Sequence, residues 1–269
     1  MDHIQTDLSD EALVTAIRAN MSDFFRLMSS IASEEGLENG KFTRWHTPLA
    51  HPWFNGALSA GLFEEADDAF IEETVRYFRG MGVKTFTWWM DPPLRALDWE
   101  PALSKHGFGI SDDTPGMAAD LQALNESQQT VDGLEVRDAA DEGFLRTWTK
   151  VFVKGYGLPS DWESLVLDLW VKLSRDSRLR NYVGYVNGEP VSTSCLFYGG
   201  GAAGIYSVAT VPEARGKGIG AALTLKPLQD AREMGYRVGV LQSSSMGFSV
   251  YKKLGFRHLC QIENFYLSL

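Results

Sequence analysis

Cysteine is nearly absent: Cys195 and Cys260 are the only two in 269 residues. So few thiols exclude a disulfide framework as the source of stability. No run of about 18 apolar residues occurs, so no transmembrane helix is expected. The opening MDHIQTDLSD has neither the basic start nor the apolar stretch of a secretion signal, and the expected location is the cytoplasm. Positive charge is scarce, with 25 Lys and Arg against 35 Asp and Glu, a net charge of −10. That balance argues against nucleic acid as a partner, because phosphate backbones are gripped by clustered Lys and Arg. His46 and His51, in HTPLAHP, lack further ligands at metal spacing, so no metal is expected. A P-loop, GxxxxGK followed by Ser or Thr, is missing as well.

Hydrophobic residues make up 44% of the chain, ample for a core. The length suits one large domain or two modest ones. The charge is uneven. Residues 1–130 hold 21 acidic and 9 basic side chains, net −12, whereas residues 131–269 hold 14 and 16, net +2. An anionic ligand would favour the second half. A boundary is expected in ALNESQQTVDG, residues 123–133, which is polar and ends in an Asp-Gly turn signal. The expected domains are 1–125 and 134–269.

The halves look distantly alike. FIEETVRYFRGMGVKTFTWWM reads as a helix, a stop at Gly82 and a strand; AALTLKPLQDAREMGYRVGVLQ reads the same way with Gly235 in the matching place. Further on, Leu103 to Phe108 (LSKHGF) parallels Tyr251 to Phe256 (YKKLGF). The order and spacing suggest a duplicated α/β unit, with a longer connection, MDPPLRALDWE, in the first copy. In the second half a strand is expected at 134–137, with helices at 139–153 and 161–174. Asn187-Gly188 marks a hairpin, because both residues tolerate φ > 0. A second turn at Gly199–Gly201 gives strands near 181–186, 190–198 and 203–211. A helix at 219–234, a strand at 236–242, a helix at 246–254 and a last strand follow. Pro227 should kink the first of these helices or mark its boundary.

The most informative stretch is SVATVPEARGKGIGAALTL, residues 207–225. A strand ends at Val211, and Arg215-Gly216-Lys217-Gly218-Ile219-Gly220 opens a helix. Main-chain N–H groups at a helix start can converge on a pyrophosphate, with the helix dipole behind them. Glycines let that backbone approach closely, and Arg215 and Lys217 add charge. The alternative is a plain strand–turn–helix corner. A dinucleotide fingerprint fits poorly, since the final Gly spacing is wrong and the preceding strands read as antiparallel hairpins.

VATVPEARGKGIG resembles motif A of the GNAT N-acetyltransferase superfamily, Arg/Gln-x-x-Gly-x-Gly/Ala, with Arg215, Gly218 and Gly220 in the pattern positions. The resemblance implies a mixed α/β (α+β) fold of two GNAT-like units, each a mostly antiparallel mixed sheet flanked by helices. It implies acetyl-CoA as the acyl donor, with its pyrophosphate on Gly216, Lys217, Gly218, Ile219, Gly220 and Ala221. Ala209, Thr210 and Val211 would hydrogen-bond the pantetheine arm and the acetyl carbonyl. MGFSVYKKLGF, residues 246–256, resembles motif B, whose Tyr protonates the departing thiolate; Tyr251 stands there. A buried packing aromatic is the other reading of Tyr251. Where the family often has Asn, this chain has Ser244, which can contact the arm or cap the next helix.

The acceptor implied is a primary amine of a small molecule or peptide. Asp161, Glu163 and Glu263 are candidate bases, and Cys195 reads as core. A non-catalytic acyl-CoA-binding sensor, a longer-chain acyltransferase and a nucleotide-binding oxidoreductase are the competing readings. The first half reads as a worn copy. It lacks Arg-x-x-Gly-x-Gly, has Leu103 where the second half has Tyr251, and carries Glu64, Glu65, Asp67 and Asp68 at its helix start, where acids would repel a pyrophosphate.

Overall fold

The computed structural model describes residues 4–32, 42–59, 68–91, 99–111, 114–127 and 131–269. They fall into two compact units, Met1–Met21 with Gly116–Leu259, and Ser22–Pro115 with Cys260–Leu269.

The larger unit is built on a seven-stranded sheet. Its strands are β5 (Thr114–Asp120), β6 (Leu134–Asp138), β7 (Leu179–Val186), β8 (Glu189–Gly199), β9 (Ala202–Thr210), β10 (Val238–Gln242) and β11 (Arg257–Ile262), in the order β11-β5-β10-β9-β8-β7-β6. From β6 to β9 every pairing is antiparallel. The chain forces these reversals with residues at positive φ: Asn187 and Gly188 at 51° and 86°, then Gly200 and Gly201 at 55° and 73°. Helices α4 (Glu142–Tyr156) and α5 (Glu163–Leu173) follow β6, and α6 (Ile219–Glu233) and α7 (Phe248–Leu254) flank β10 in sequence. Asp141 caps α4 by accepting from Phe144 N at 3.0 Å, and Gly157 ends it in the left-handed region. Stacked Trp148, Phe152 and Trp170 join α4 to α5. Leu223, Leu225 and Leu228 of α6 are fully buried in one core with Leu196, Ala203 and Leu241. That burial carries the helix through Pro227 without a break, so Pro227 is not a helix boundary.

Helix α1 (Asp10–Ala32) gives its residues up to Met21 to this unit. There Asn20 is wholly buried; its Nδ2 donates to the carbonyls of Phe197, Gly199 and Ala202, and its Oδ1 accepts from Tyr206. Gly200 is required at this contact, since a Cβ would lie 2.5 Å from the Ala19 side chain.

The smaller unit has a five-stranded sheet of β1 (Phe42–Trp45), β2 (Gly56–Ser59), β3 (Thr85–Met90), β4 (Gly109–Ile110) and β12 (Asn264–Ser268), in the order β1-β2-β3-β12-β4. Helices α2 (Asp68–Gly80) and α3 (Glu100–Lys105) accompany it. Its core is aromatic: Phe42, Phe78, Phe86, Trp88, Trp99, Phe108 and Phe265 pack together.

The worn repeat is visible in the fold. Helix, strand and short helix recur as α2–β3–α3 and α6–β10–α7, with Gly82 and Gly235, then Gly107 and Gly255, all at positive φ. The last strands are exchanged. β5, which follows the first copy, pairs antiparallel with β10, and β12, which ends the second copy, pairs antiparallel with β3. Neither unit is therefore one contiguous stretch. Compared with a division at 1–125 and 134–269, residues 4–21 and 116–125 lie in the larger unit and residues 260–269 in the smaller. No helix among the described residues is long and apolar enough to cross a membrane.

Candidate functional site

The site is a place where two parallel strands part. β9 and β10 are in register only at Ala203↔Gly239, Gly204↔Val240 and Ile205↔Leu241. β10 ends at Gln242, while β9 runs on beside β8 to Thr210. Where they diverge, β9 bulges. Cys195 lies opposite Tyr206 but Thr193 opposite Ala209, so Ser207 and Val208 together face Ser194. Ser207 takes φ of 54°, a left-handed conformation that a non-glycine residue adopts only under constraint.

Beyond β9, Val211 N donates to Val191 O, and a single 3₁₀ turn, Pro212–Ala214, leads to an extended Arg215. Gly216 and Gly218 have φ of 75° and 82°, and α6 begins at Ile219. A Cβ on Gly216 would meet nothing within 4 Å, and one on Gly218 would sit 3.6 Å from Val131. Backbone conformation, not crowding, therefore demands glycine at both. Ala222 N makes the first helical bond, to Gly218 O. The main-chain amides of Gly216 to Ala221 have no hydrogen-bond acceptor among the described residues. No acid lies in the first turn of α6. The nearby Glu213 carboxylate is paired with Lys154, which holds it below its usual range. The result is an open, positively polarised helix mouth.

Arg215 does something more structural than its sequence position suggested. Its Nε donates to Thr210 O at 3.0 Å and its Nη2 to Gly155 O at 2.7 Å, tying the loop to β9 and α4. Lys217 Nζ donates to Glu213 O at 3.2 Å. Ala209 and Thr210 lie on the part of β9 past the register with β10, whereas the Val211 amide is spent on β8.

Tyr251 lies in α7, edge-on to Phe256 at 6.0 Å. Gly247 makes room for it, since a Cβ there would fall 2.7 Å from the ring. Its hydroxyl has no partner among the described residues, and burial pushes its pKa up to about 12, making it a weaker acid. The Tyr156 phenol, buried and raised too, is close enough to feel Tyr251. Ser244 Oγ accepts from Gly247 N at 3.2 Å, a capping bond ahead of α7. Cys195 is buried, its thiol pushed up to about 12 by burial and 3.1 Å from Asn181 Oδ1, which disfavours the thiolate a nucleophile needs. Asp161 lies in the 3₁₀ turn Ser160–Trp162 before α5, Glu163 opens α5, and Glu263 stands between β11 and β12 in the smaller unit. The bulge and Tyr156 were not visible in the sequence, since a serine at positive φ carries no composition signal.

In the smaller unit, Leu103 is buried in the core. Asp68, at the start of α2, hydrogen-bonds Lys105 and His106; Glu64, Glu65, Asp67 and most of the MDPPLRALDWE connection lie outside the described residues. His46 Nδ1 is 2.9 Å from the Tyr77 hydroxyl, and His51 Nδ1 accepts from Trp53 N. No group of three or more His, Cys, Asp or Glu side chains among the described residues is arranged to hold a metal ion.

Residues 142–256 match the sequence model of the acetyltransferase (GNAT) family. No curated protein matches the chain. Among solved structures, a GCN5-related N-acetyltransferase from Kribbella flavida superposes with a TM-score of 0.65 at 17% identity, over 92% of this chain and 95% of that one. Another from Sphaerobacter thermophilus gives 0.62 at 15% identity, over 94% and 93%. A tandem GNAT protein from the clavulanic acid biosynthesis pathway gives 0.57 at 13% identity, over 98% and 97%. At these identities the likeness is one of fold.

Proposed function

From a chain that carries the GNAT-superfamily acetyltransferase fold in two units, we propose that the larger unit is an acetyl-CoA-dependent N-acetyltransferase acting on a primary amine of a small molecule or peptide. One observation carries the reading: the amides of Gly216 to Ala221 are without acceptors among the described residues at the mouth of α6, beside the gap where β9 leaves β10. The diphosphate of the donor fits that mouth through the amides and the helix dipole. The pantetheine arm follows Ala209 and Thr210 along the open side of β9. The bound thioester supplies an activated acetyl group. The neutral amine attacks the thioester carbon, a C–N bond forms, and the C–S bond breaks with its electron pair going to sulfur. Tyr251 donates its hydroxyl proton toward that sulfur, and the nitrogen's surplus proton leaves to solvent or a base.

Arg215 holds the loop in shape and Lys217 adds charge at its rim. The Ser244 hydroxyl holds the turn ahead of α7 by accepting from Gly247 N, and a contact with the arm is part of the proposal. The N-terminal copy, with buried Leu103 in place of a tyrosine, is proposed not to bind the donor, and the larger unit to work without a metal. Incubating the protein with acetyl-CoA and a panel of primary amines, with free thiol as the readout, tests the proposal. Thiol release that depends on a particular amine supports it. Donor binding without release for any amine turns the assignment to an acyl-CoA sensor.

A further inference from the structure

The end of β9 has a feature that the helix mouth does not explain. Four consecutive carbonyls of this strand each accept a hydrogen bond from a side chain. Thr193 Oγ1 donates to Ser207 O at 3.1 Å, Tyr156 Oη to Val208 O at 3.2 Å, Ser192 Oγ to Ala209 O at 2.7 Å and Arg215 Nε to Thr210 O at 3.0 Å. Ser192 and Thr193 are completely buried, so their hydroxyls are committed. The bulge takes the Ser207 and Val208 carbonyls out of the strand ladder and leaves them wanting donors. Supplying one to every carbonyl in succession has a further effect on the amides.

Val211 N points at β8, where it meets Val191 O. Successive amides alternate along an extended strand, so the N–H groups of Thr210 and Val208 face away from β8, into the gap left by β10. Each N–H shares a peptide group with the carbonyl before it. The Val208 N–H belongs with Ser207 O, held by Thr193; the Thr210 N–H belongs with Ala209 O, held by Ser192. A hydrogen bond to the oxygen draws charge from the nitrogen and strengthens the N–H as a donor, by roughly 10–30% per bond. It also fixes the peptide plane. Tyr156 and Arg215 occupy the Val208 and Thr210 carbonyls, which face the same gap and would otherwise repel an approaching carbonyl oxygen.

We infer that Ser192, Thr193 and Tyr156 are positioning residues that make the bulged stretch of β9 a surface of donors for the carbonyl oxygen of a bound thioester. The inference rests on the acetyl-CoA reading. The three side chains act through the main chain, holding donors aimed where negative charge develops on oxygen.

The test is isotope-edited infrared spectroscopy of acetyl-CoA carrying a ¹³C-labelled acetyl carbonyl, bound to the whole protein. The bound carbonyl stretch should lie below that of free acetyl-CoA. Thr193→Val, Ser192→Ala and Tyr156→Phe should each lose part of that downshift while keeping the affinity for CoA, and Thr193→Ser should retain it. Acetyl transfer should fall about tenfold in Thr193→Val, less than the 10²–10³ of removing an oxyanion donor outright. Should Thr193→Val not fold, Tyr156→Phe and Ser192→Ala carry the comparison. A wild-type protein that binds acetyl-CoA without a downshift, or variants that keep it in full, would overturn this inference and leave the donor site standing. A wild-type protein that binds no acetyl-CoA would overturn the donor site and this inference together.

Discussion

Replacing Tyr251 with Phe separates chemistry from structure unusually cleanly in this molecule. The ring contacts, edge-on with Phe256 and over Gly247, are made by atoms that Phe retains. The hydroxyl has no partner among the described residues, so its removal orphans nothing. Taking away a hydroxyl on a half-buried ring that makes no hydrogen bond to a described residue is expected to leave stability within about 1 kcal/mol of the parent. The effect on rate is larger. A positioned proton donor is worth roughly 10²–10⁴ in rate, or about 3–5 kcal/mol of barrier. With the phenol pushed up to about 12 and an ordinary thiol near 8.5, complete transfer to a free thiolate is uphill by about 5 kcal/mol. The phenol therefore acts mainly as a hydrogen-bond donor while charge builds on sulfur, which places the expected loss nearer 10² than 10⁴. Steady-state thiol release gives kcat, calorimetry gives CoA affinity, and thermal unfolding gives stability. The account expects kcat to fall about 100-fold with the other two unchanged. A variant with kcat within about threefold of the parent, against the 10²-fold minimum for such a donor, removes Tyr251 from the mechanism. A drop in Tm of many degrees shows that the hydroxyl has a structural partner.

Raising the pH should spare this donor. Its folded-state pKa lies above the ordinary tyrosine value, so the proton stays in place until pH approaches about 12; an alkaline fall in kcat between about pH 8 and 10 that vanishes in Tyr251→Phe would contradict this. Gly218→Ala puts a side chain at φ of 82° and should cost about 1–2 kcal/mol while weakening CoA binding, seen by thermal unfolding and calorimetry; unchanged affinity would mean the turn is not a ligand cradle. Asn20→Ala removes a donor from three carbonyls and the acceptor of the Tyr206 hydroxyl and should cost roughly 3 kcal/mol in urea unfolding, with an intact variant refuting the pinning of α1.

Turns and helix ends were the parts of the fold most legible in the sequence, because they impose φ values that few residues accept. Asn187-Gly188, Gly200-Gly201 and the paired Gly82 and Gly235 all took the left-handed conformations their positions call for. The loop at Arg215 to Gly220 was legible for the same reason. Where a residue type has no such monopoly, the pattern was silent. Nothing in QIENFYLSL or GMAADLQAL says which sheet it will join, since an alternating strand fits any exposed edge of matching polarity. Pro227 stood out as a helix breaker, yet a helix buried as deeply as α6 absorbs one lost hydrogen bond. Ser207 gives no warning of a bulge. The hydroxyls of Ser192, Thr193 and Tyr156 look, in one dimension, like ordinary strand and helix-end residues. Arg215 was read as charge for a phosphate, and two of its nitrogens proved to hold carbonyls, a distinction that only geometry makes.

The central claim is that main-chain amides at the start of α6 receive the diphosphate of coenzyme A. Backbone-amide NMR during a CoA titration reads those groups one by one. The N–H resonances of Gly216 to Ala221 should move furthest and saturate together, at the same midpoint as the calorimetric heat. Resonances there that stay fixed while CoA binds, or a titration with no heat and no shifts, would contradict the account.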